Sequence, residues 1–174
     1  MGLSAQDVLD LNAGWRETTA SAMRAVAKAG GWVWQMFGGL SAPPDSGPSC
    51  IKGYRDRACS ELRTDMNRMN LRLKDSHAPG SVLDAATDVA RFLLIRGTYS
   101  FLGTSWVGCE PDNGVEGGGH NQTYARPQEF DVDYGTPLGL CKEDQTKPGR
   151  FVREYTKATA AHDCSSGLSS VTMK

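Results

Sequence analysis

A short apolar run that enters a stretch rich in glycine and aromatic residues places the strongest constraint on this fold. The run is Phe92–Ile95, and after Arg96-Gly97 it is followed by Tyr99 and Trp106. An unbroken apolar run of this length is typical of a strand buried on both faces, as in a parallel sheet covered by helices. Such a strand often feeds a ligand-binding edge in α/β enzymes. The alternative is that the aromatic residues only cover the end of the core.

The residues before this run alternate between helical spacing and apolar runs. The patterns predict helices at Leu3–Ala29, Asp56–Leu73 and Ser81–Ala90 and a buried strand at Trp32–Phe37. Ser4, with Asp7 three residues later, predicts a capping box at the start of the first helix. Alternating helices and apolar strands indicate an α/β fold with a parallel sheet. We therefore expect Trp32–Phe37 and Phe92–Arg96 to be parallel strands of one sheet, with room between them for an additional short strand.

The character of the chain changes after residue 109. Glu110–Arg126 has no apolar periodicity and contains three consecutive glycines, which predicts a long loop. Phe130–Gly135 alternates between apolar and polar residues and predicts a strand. Phe151–Thr156 and Ala158–Cys164 follow, either as a β-hairpin or as one longer strand. The last 48 residues are thus expected to form a short, β-rich segment.

Composition excludes several classes of partner. The 174 residues include 19 basic and 20 acidic side chains, mixed along the chain, for a net charge of −1. Because no basic stripe is present, we expect neither nucleic acid nor a membrane surface as a partner. No apolar run approaches the roughly 20 residues of a membrane-spanning helix. The first residues also lack the basic region and apolar core of a signal peptide.

The five cysteines predict disulfides and no metal site. None forms a CxxC pair, and no histidine lies near one at zinc-finger spacing, so neither a metal nor another cofactor is expected. We predict the local bridges Cys50–Cys59 and Cys141–Cys164, which leaves Cys109 unpaired.

An N-glycosylation sequon begins at Asn121 in the long polar loop. Together with the predicted bridges, it favours a secreted protein or one of the secretory pathway. The missing signal peptide conflicts with that expectation. The two observations agree if the chain is the C-terminal part of a longer protein.

Three segments resemble the C-terminal part of glycoside hydrolases with a (β/α)8 barrel. They are Phe92–Cys109, Asp131–Glu143 and Gly149–Cys164. In such proteins a late strand and its loop are followed by a Gly-x-Pro-x-Gly segment, here within Tyr134–Gly139, and by a strand of the form Phe-x-Arg-x-Tyr, here from Phe151. The resemblance implies a partial (β/α) barrel in residues 1–126 and a short antiparallel β segment in 127–174 packed on it. The chain is well short of the roughly 250 residues of a full barrel.

The resemblance implies cleavage of glycosidic bonds, which requires two carboxyl groups. Asp131 and Asp133 are two apart on the predicted strand, so both point to one face with about 7 Å between them. Alternatively, that face is in water and the intervening apolar residues form the buried side. Glu110 directly follows the aromatic stretch, where a barrel acid would lie, and is the third candidate.

The expected ligand is an oligosaccharide or polysaccharide. Flat aromatic faces suit the C–H face of a sugar ring, and an amide can hydrogen-bond its hydroxyls. The candidate substrate-binding residues are Trp34, Gln35, Tyr99 and Trp106. In a barrel these residues would face one cleft at the C-terminal ends of the strands.

Three hypotheses remain open on the sequence. The chain is part of a secreted glycoside hydrolase, whose catalytic acids then lie here or upstream. It is instead a carbohydrate-binding or interaction module that keeps the aromatic surface without catalysis. Or it is a truncated product without independent activity, in which case an open half-barrel should aggregate.

Overall fold

The computed structural model describes residues 3–31, 34–39, 42–60, 66–74, 82–103 and 126–174. Within these ranges the α-helices are α1 (Ala5–Lys28), α2 (Gly47–Gly53) and α3 (Ala85–Ile95). A π-helical turn, Tyr54–Ala58, continues α2, and a 3-10 turn covers Gln128–Phe130. The strands are β1 (Trp34–Gly39), β2 (Met66–Asn70), β3 (Leu73–Lys74), β4 (Val82–Leu83), β5 (Ser100–Gly103), β6 (Lys142–Glu143), β7 (Arg150–Glu154), β8 (Ala158–Asp163) and β9 (Leu168–Met173).

Helix α1 forms where the capping residues predict it. The Ser4 hydroxyl accepts a hydrogen bond from the Asp7 amide at 3.1 Å, and the Asp7 carboxylate accepts one from the Ser4 amide at 2.8 Å. This reciprocal pair satisfies two amides that a helix start leaves without partners. The helix runs through Gly14 without a break and ends before Gly30, whose φ of 78° suits glycine. None of its residues is buried.

The first sheet is parallel, with strand order β1-β2-β5. Its strands are neighbours in the order in which they occur along the chain, with α2 between the first two and α3 between the last two. The prediction of an α/β fold with a parallel sheet is therefore confirmed in this broad form, and so is a strand within Trp32–Phe37. These three strands do not by themselves establish a barrel.

The strand predicted at Phe92–Arg96 is wrong, because this run is the second half of α3. Every residue of α3 from Asp88 to Ile95 is buried. Its last four residues, Phe92–Ile95, are all apolar and all buried, so they show no polar stripe that would distinguish a helix from a buried strand. The parallel strand lies five residues later, in β5.

The helix predicted at Asp56–Leu73 is also wrong in most of its length. Helical structure begins earlier, at Gly47 with a proline in the first turn, and the π-helical turn ends at Ala58. Met66–Asn70 is instead β2, the central strand of the parallel sheet. Pairing on both sides of a central strand outweighs local helical spacing.

The strand predicted at Phe130–Gly135 is wrong as well. The chain there makes the 3-10 turn and then continues without strand pairing. Local side-chain bonds stabilise this path: the Asp133 carboxylate accepts from the Gly135 amide at 2.9 Å, and the Tyr134 hydroxyl donates to the Glu129 carbonyl at 2.8 Å. Such bonds compete with a sheet ladder for the same backbone groups.

The second sheet is antiparallel, with strand order β6-β7-β8-β9. The predicted hairpin is confirmed as β7 and β8, where Phe151 is opposite His162 and Arg153 is opposite Ala160. Strand β9 returns alongside β8, which the sequence analysis did not predict. The antiparallel segment expected in the last part of the chain is thus present.

Helix α3 packs against this second sheet to form the core. Buried side chains of α2 and its π-helical turn, α3, β7 and β8 belong to one apolar cluster. Every second side chain along β7 and into the next residue points into this cluster: Phe151, Arg153 and Tyr155 are 1%, 2% and 0% exposed. The Tyr155 hydroxyl donates to the Leu93 carbonyl at 2.6 Å, so the sheet also contacts the C-terminal end of α3 through a buried hydrogen bond.

The Gly-x-Pro-x-Gly segment forms a turn against the end of β7. Gly135 has a φ of 79°, and a Cβ there would lie 2.1 Å from the Thr156 hydroxyl oxygen, so only glycine fits. The Thr136 amide donates to that hydroxyl at 2.9 Å, and the Leu138 amide donates to the Glu154 carbonyl at 2.9 Å. Both motifs that carry the resemblance are therefore in contact with each other.

Two disulfides join distant parts of the chain, Cys50–Cys164 and Cys59–Cys141. The four cysteines predicted to be oxidised are confirmed, but the predicted pairing of each with its neighbour in sequence is wrong. The bridges cross from α2 and its π-helical turn to the second sheet and the segment that enters it. The packing of α2 on this sheet brings residues 114 and 82 positions apart into range, which sequence spacing cannot indicate.

Asp144 gives the second sheet a measurable dependence on pH. The Thr146 hydroxyl and amide and the Arg150 guanidinium lower the pKa of its carboxyl to about 2. Because this pKa is below that of the unfolded chain, the ionised group stabilises the fold above about pH 4. That contribution should disappear as the pH falls toward 2. We expect urea unfolding at pH 5, 4, 3 and 2 to show a smaller acid loss of stability in Asp144→Asn, with an intermediate loss in Thr146→Ala.

Candidate functional site

The two aspartates predicted to be catalytic lie on the surface, each in an ion pair. Asp131 is 3.0 Å from the Arg126 guanidinium, and 69% of its side chain is exposed. Asp133 pairs with Lys157, which together with the Gly135 amide lowers the pKa of its carboxyl. The exposed Asp133 carboxyl, with its lowered pKa, is ionised at neutral pH and does not fit the role of a catalytic acid. No strand holds the two side chains on one face, so the separation of about 7 Å that a strand predicted for them no longer applies.

The other predicted site residues are only partly covered by the structure. Tyr99 lies in the turn before β5 and is 39% exposed. Trp34 and Gln35 lie in β1, where the description covers the backbone alone. Glu110, Trp106 and the sequon residue Asn121 lie outside the described residues. Their predicted roles stay predictions.

A cluster of four charged side chains lies just beyond the C-terminal ends of β1 and β2. Arg72, two residues after β2, binds Asp45 at 2.8 Å and the fully buried Asp88 at 2.7 Å. Buried Arg91 pairs with Asp45 as well and donates to the Pro43 carbonyl. We call Asp45, Arg72, Asp88 and Arg91 the carboxyl-edge cluster.

The carboxyl-edge cluster joins the segments that follow β1 and β2 to α3 through its ion pairs. Partial burial opposes ionisation of Asp45, but Arg91 and Arg72 outweigh it and lower the pKa of this carboxyl. The guanidinium groups neutralise both carboxylates and connect the loop after β1 to α3. The cluster therefore serves as a structural link and is poorly suited to donating a proton.

An aromatic cleft of about 320 Å³ lies between α3, β5 and residues 126–134. Its ring-bearing lining residues are Phe92, Phe101, Phe130 and Tyr134, and its charged ones are Arg96, Arg126 and Glu129. Phe101 has 53% of its surface exposed, which leaves a flat apolar face in contact with water. We call this feature the aromatic cleft.

The aromatic cleft combines flat rings with cations held in place by those rings. The Arg96 guanidinium lies 6.0 Å from the centre of the Phe92 ring, and that of Arg126 lies 5.4 Å from the centre of the Phe130 ring. Such pairs attract through the ring quadrupole and restrict the guanidinium group. Phe101 can stack on the C–H face of a sugar, while the guanidinium groups and Glu129 can hydrogen-bond its hydroxyls.

The aromatic cleft lies partly in the stretch where the sequence predicted a binding surface, but its lining differs from the predicted residues. Phe101 belongs to the aromatic stretch after Arg96, yet Tyr99 and Trp106 were predicted to bind sugar. Phe130 and Tyr134 were interpreted as the buried side of a strand. The available signal was the density of aromatic residues near basic ones, which predicts a surface but not its shape.

Comparisons with known proteins do not assign the chain to a family. No protein-family model matches the chain, and the search of curated proteins gives no match. The described helices also include none long and apolar enough to cross a membrane. The resemblance to barrel glycoside hydrolases therefore depends on the short motifs alone.

Proposed function

We propose that this chain belongs to a secreted carbohydrate-active protein and that its described part binds a saccharide in the aromatic cleft without cleaving it. The observation that carries the proposal is the exposed ring of Phe101 beside the guanidinium groups of Arg96 and Arg126. A sugar needs an apolar face and several hydrogen-bonding groups at once, and this combination supplies both.

The state of the two candidate acids favours binding over cleavage. Asp131 and Asp133 are each paired with a cation and exposed to solvent. Neither side chain lines the aromatic cleft, whereas Val132, between them in sequence, does. A hydrolytic site needs one carboxyl kept protonated by a poorly solvated environment, and neither residue has one.

A glycoside hydrolase remains the second candidate function. It is supported by the order β1-β2-β5, in which each parallel strand follows the last with a helix between them. That is the local arrangement of a (β/α) barrel, and the Gly-x-Pro-x-Gly and Phe-x-Arg-x-Tyr motifs come after it in sequence, as the resemblance implies. Under this proposal the catalytic acids lie outside the aspartate pair, with Glu110 as one candidate.

Secretion is part of the proposal. The two disulfides support it, because such bridges persist in oxidising compartments. The sequon at Asn121 agrees with it. Glycan attached to the chain after expression in a eukaryotic secretory host would add direct support, and an Asn121→Gln variant of unchanged mass would argue against modification there.

Replacing Phe101 by alanine should weaken saccharide binding about tenfold, because stacking on one aromatic ring contributes on the order of 1–2 kcal/mol. Isothermal titration with a panel of neutral and charged oligosaccharides measures the effect. Trp15→Ala is the matched control, since Trp15 is an exposed aromatic residue on α1. Equal weakening by both changes, or binding that survives Phe101→Ala intact, would place the sugar elsewhere.

Turnover distinguishes the two candidates. If the chain, or the longer protein that contains it, hydrolyses a glycoside, we expect activity to survive Asp131→Asn and Asp133→Asn. Loss of turnover in either variant with binding unchanged would restore the aspartate pair as catalytic. If every form tested binds saccharide but hydrolyses none, saccharide binding is the function and hydrolysis is excluded.

A further inference from the structure

We propose that Cys50, His162 and Cys164 bind a zinc-type metal ion when the bridge between the two cysteines is reduced. The same three side chains would then hold α2 to the second sheet in either of two ways, through a sulfur–sulfur bond or through a metal. This inference does not depend on saccharide binding; it concerns the chain with the bridge open, and the oxidised, secreted form proposed above would hold no ion there.

The three potential ligand atoms lie close together, and the sulfur–nitrogen pair of Cys50 and His162 is already near the separation that a metal site needs, whereas the two bonded sulfurs must move apart. The Cys50 sulfur and the Nε2 atom of His162 are 3.4 Å apart, and all three ligand atoms lie within 4.8 Å of one another. In a tetrahedral zinc site, bond lengths of about 2.3 Å to sulfur and 2.0 Å to nitrogen place neighbouring ligands about 3.5 to 3.8 Å apart. Once the sulfurs separate, small side-chain rotations reach this geometry.

A hydroxyl group is placed to set the protonation of the histidine ring. His162 Nδ1 lies 2.8 Å from the Ser169 hydroxyl oxygen, and Nε2 lies 2.8 Å from the Asp45 carbonyl oxygen. With the bridge closed, Nε2 carries the proton and donates to that carbonyl. With a metal present, Nδ1 carries the proton and donates to Ser169, which leaves the Nε2 lone pair for the ion.

The surroundings exclude water from these ligands. Cys50 and Cys164 are fully buried, and His162 is 1% exposed. The Tyr54 ring lies 5.4 Å from the imidazole and covers one side of it. A dry, soft ligand set of two thiolates and one imidazole selects zinc, or cobalt as its spectroscopic substitute, over magnesium or calcium.

The conversion balances with a thiol or phosphine reductant. Two electrons from the reductant break the sulfur–sulfur bond, and two protons from water give the two thiols. A divalent ion then displaces both thiol protons and binds two thiolates and the neutral imidazole, with the Asp45 carbonyl oxygen, 2.8 Å from Nε2, as the fourth ligand. A two-electron oxidant such as a small-molecule disulfide takes the electrons of both thiolates, closes the bridge and releases the ion, so the bridge and the metal exclude each other.

The other bridge provides an internal comparison. Across the described residues, the histidine, cysteine and acidic side chains that gather as a potential metal-binding group are Cys50, His162 and Cys164. Cys59 and Cys141 belong to no such group there. Opening Cys59–Cys141 should therefore create thiols without creating a comparable metal site.

The test uses the full chain with the substitution Cys109→Ser, which removes the fifth cysteine. The protein is reduced with a phosphine and kept in it throughout. Co²⁺ is added while absorption and circular dichroism are recorded together. We expect one equivalent of Co²⁺ to produce thiolate charge-transfer absorption and tetrahedral d–d bands, which Zn²⁺ then removes. Because metal binding can be coupled to folding, the cobalt absorption and the circular dichroism should change at the same Co²⁺ concentrations. The oxidised chain should give neither band.

Three variants decide which residues bind the ion. His162→Ala should raise the cobalt dissociation constant well beyond tenfold, and Ser169→Ala, which keeps every ligand, should raise it roughly tenfold. The pair Cys59→Ser and Cys141→Ser should leave it unchanged. Absence of thiolate bands in the reduced parent, equal affinity in His162→Ala, or loss of binding only in the Cys59/Cys141 pair would each overturn the proposal.

Discussion

Replacing Cys50 and Cys164 together by alanine is expected to lower the free energy of unfolding by about 5 kcal/mol. The bridge closes a segment of 114 residues, and loop-closure entropy assigns about 4 to 5 kcal/mol to a loop of this length. Both sulfurs are fully buried within the core, so the loss of their packing adds to the effect. Urea unfolding of the oxidised double variant, followed by circular dichroism, measures the change.

The pair Cys59→Ala and Cys141→Ala is the matched control, since that bridge closes 82 residues and should contribute almost as much. Local bridges would instead close nine and 23 residues and contribute less. Digestion without reductant then decides the pairing directly. Peptides linked as Cys50–Cys59 and Cys141–Cys164 would refute the crossed arrangement and the core built on it.

The cysteines illustrate what a sequence can and cannot indicate about this fold. Their number and setting were enough to predict oxidation of Cys50, Cys59, Cys141 and Cys164. Pairing depends on which elements pack together, and here a bridge joins α2 to the residue that follows β8, 114 positions away. Neighbours in sequence were therefore a poor guide.

The apolar run Phe92–Ile95 shows a related limit. Its burial was predicted correctly, because an unbroken apolar run has no polar side to expose. Its conformation was not, because a helix covered on all sides and a doubly covered strand have the same composition. The capping box at Ser4 gave a correct helix start, since both of its hydrogen bonds are local to the sequence.

Prediction of the candidate site was weaker than that of the fold. Asp131 and Asp133 were chosen from an alternation that local turns override, as the Asp133–Gly135 bond shows. The aromatic cleft needs residues from α3, β5 and the 126–134 segment together. Only the packing of those elements gives Phe101 its neighbours, and that packing cannot be inferred from spacing.

The motif Phe151-x-Arg153-x-Tyr155 owes its pattern to packing against α3. Arg153 is 2% exposed and donates to carbonyls at the C-terminal end of α3, those of Leu93 at 3.1 Å and Arg96 at 2.7 Å. Its Nε atom donates to the Gly139 carbonyl at 2.7 Å, within the Gly-x-Pro-x-Gly turn. A cation at this position satisfies carbonyls that the helix leaves without partners. One guanidinium thus connects the turn, the helix and the sheet.

Arg153→Met should therefore lower the free energy of unfolding by on the order of 3 kcal/mol, because several buried carbonyls lose a charged donor at once. Arg153→Lys keeps the charge without the forked geometry and should lose about half as much. Tyr155→Phe removes a single buried donor and should lose about 1 kcal/mol. Urea unfolding of the three variants tests this order. An Arg153→Met protein within about 0.5 kcal/mol of the parent would mean that water satisfies those carbonyls and that the motif has another role.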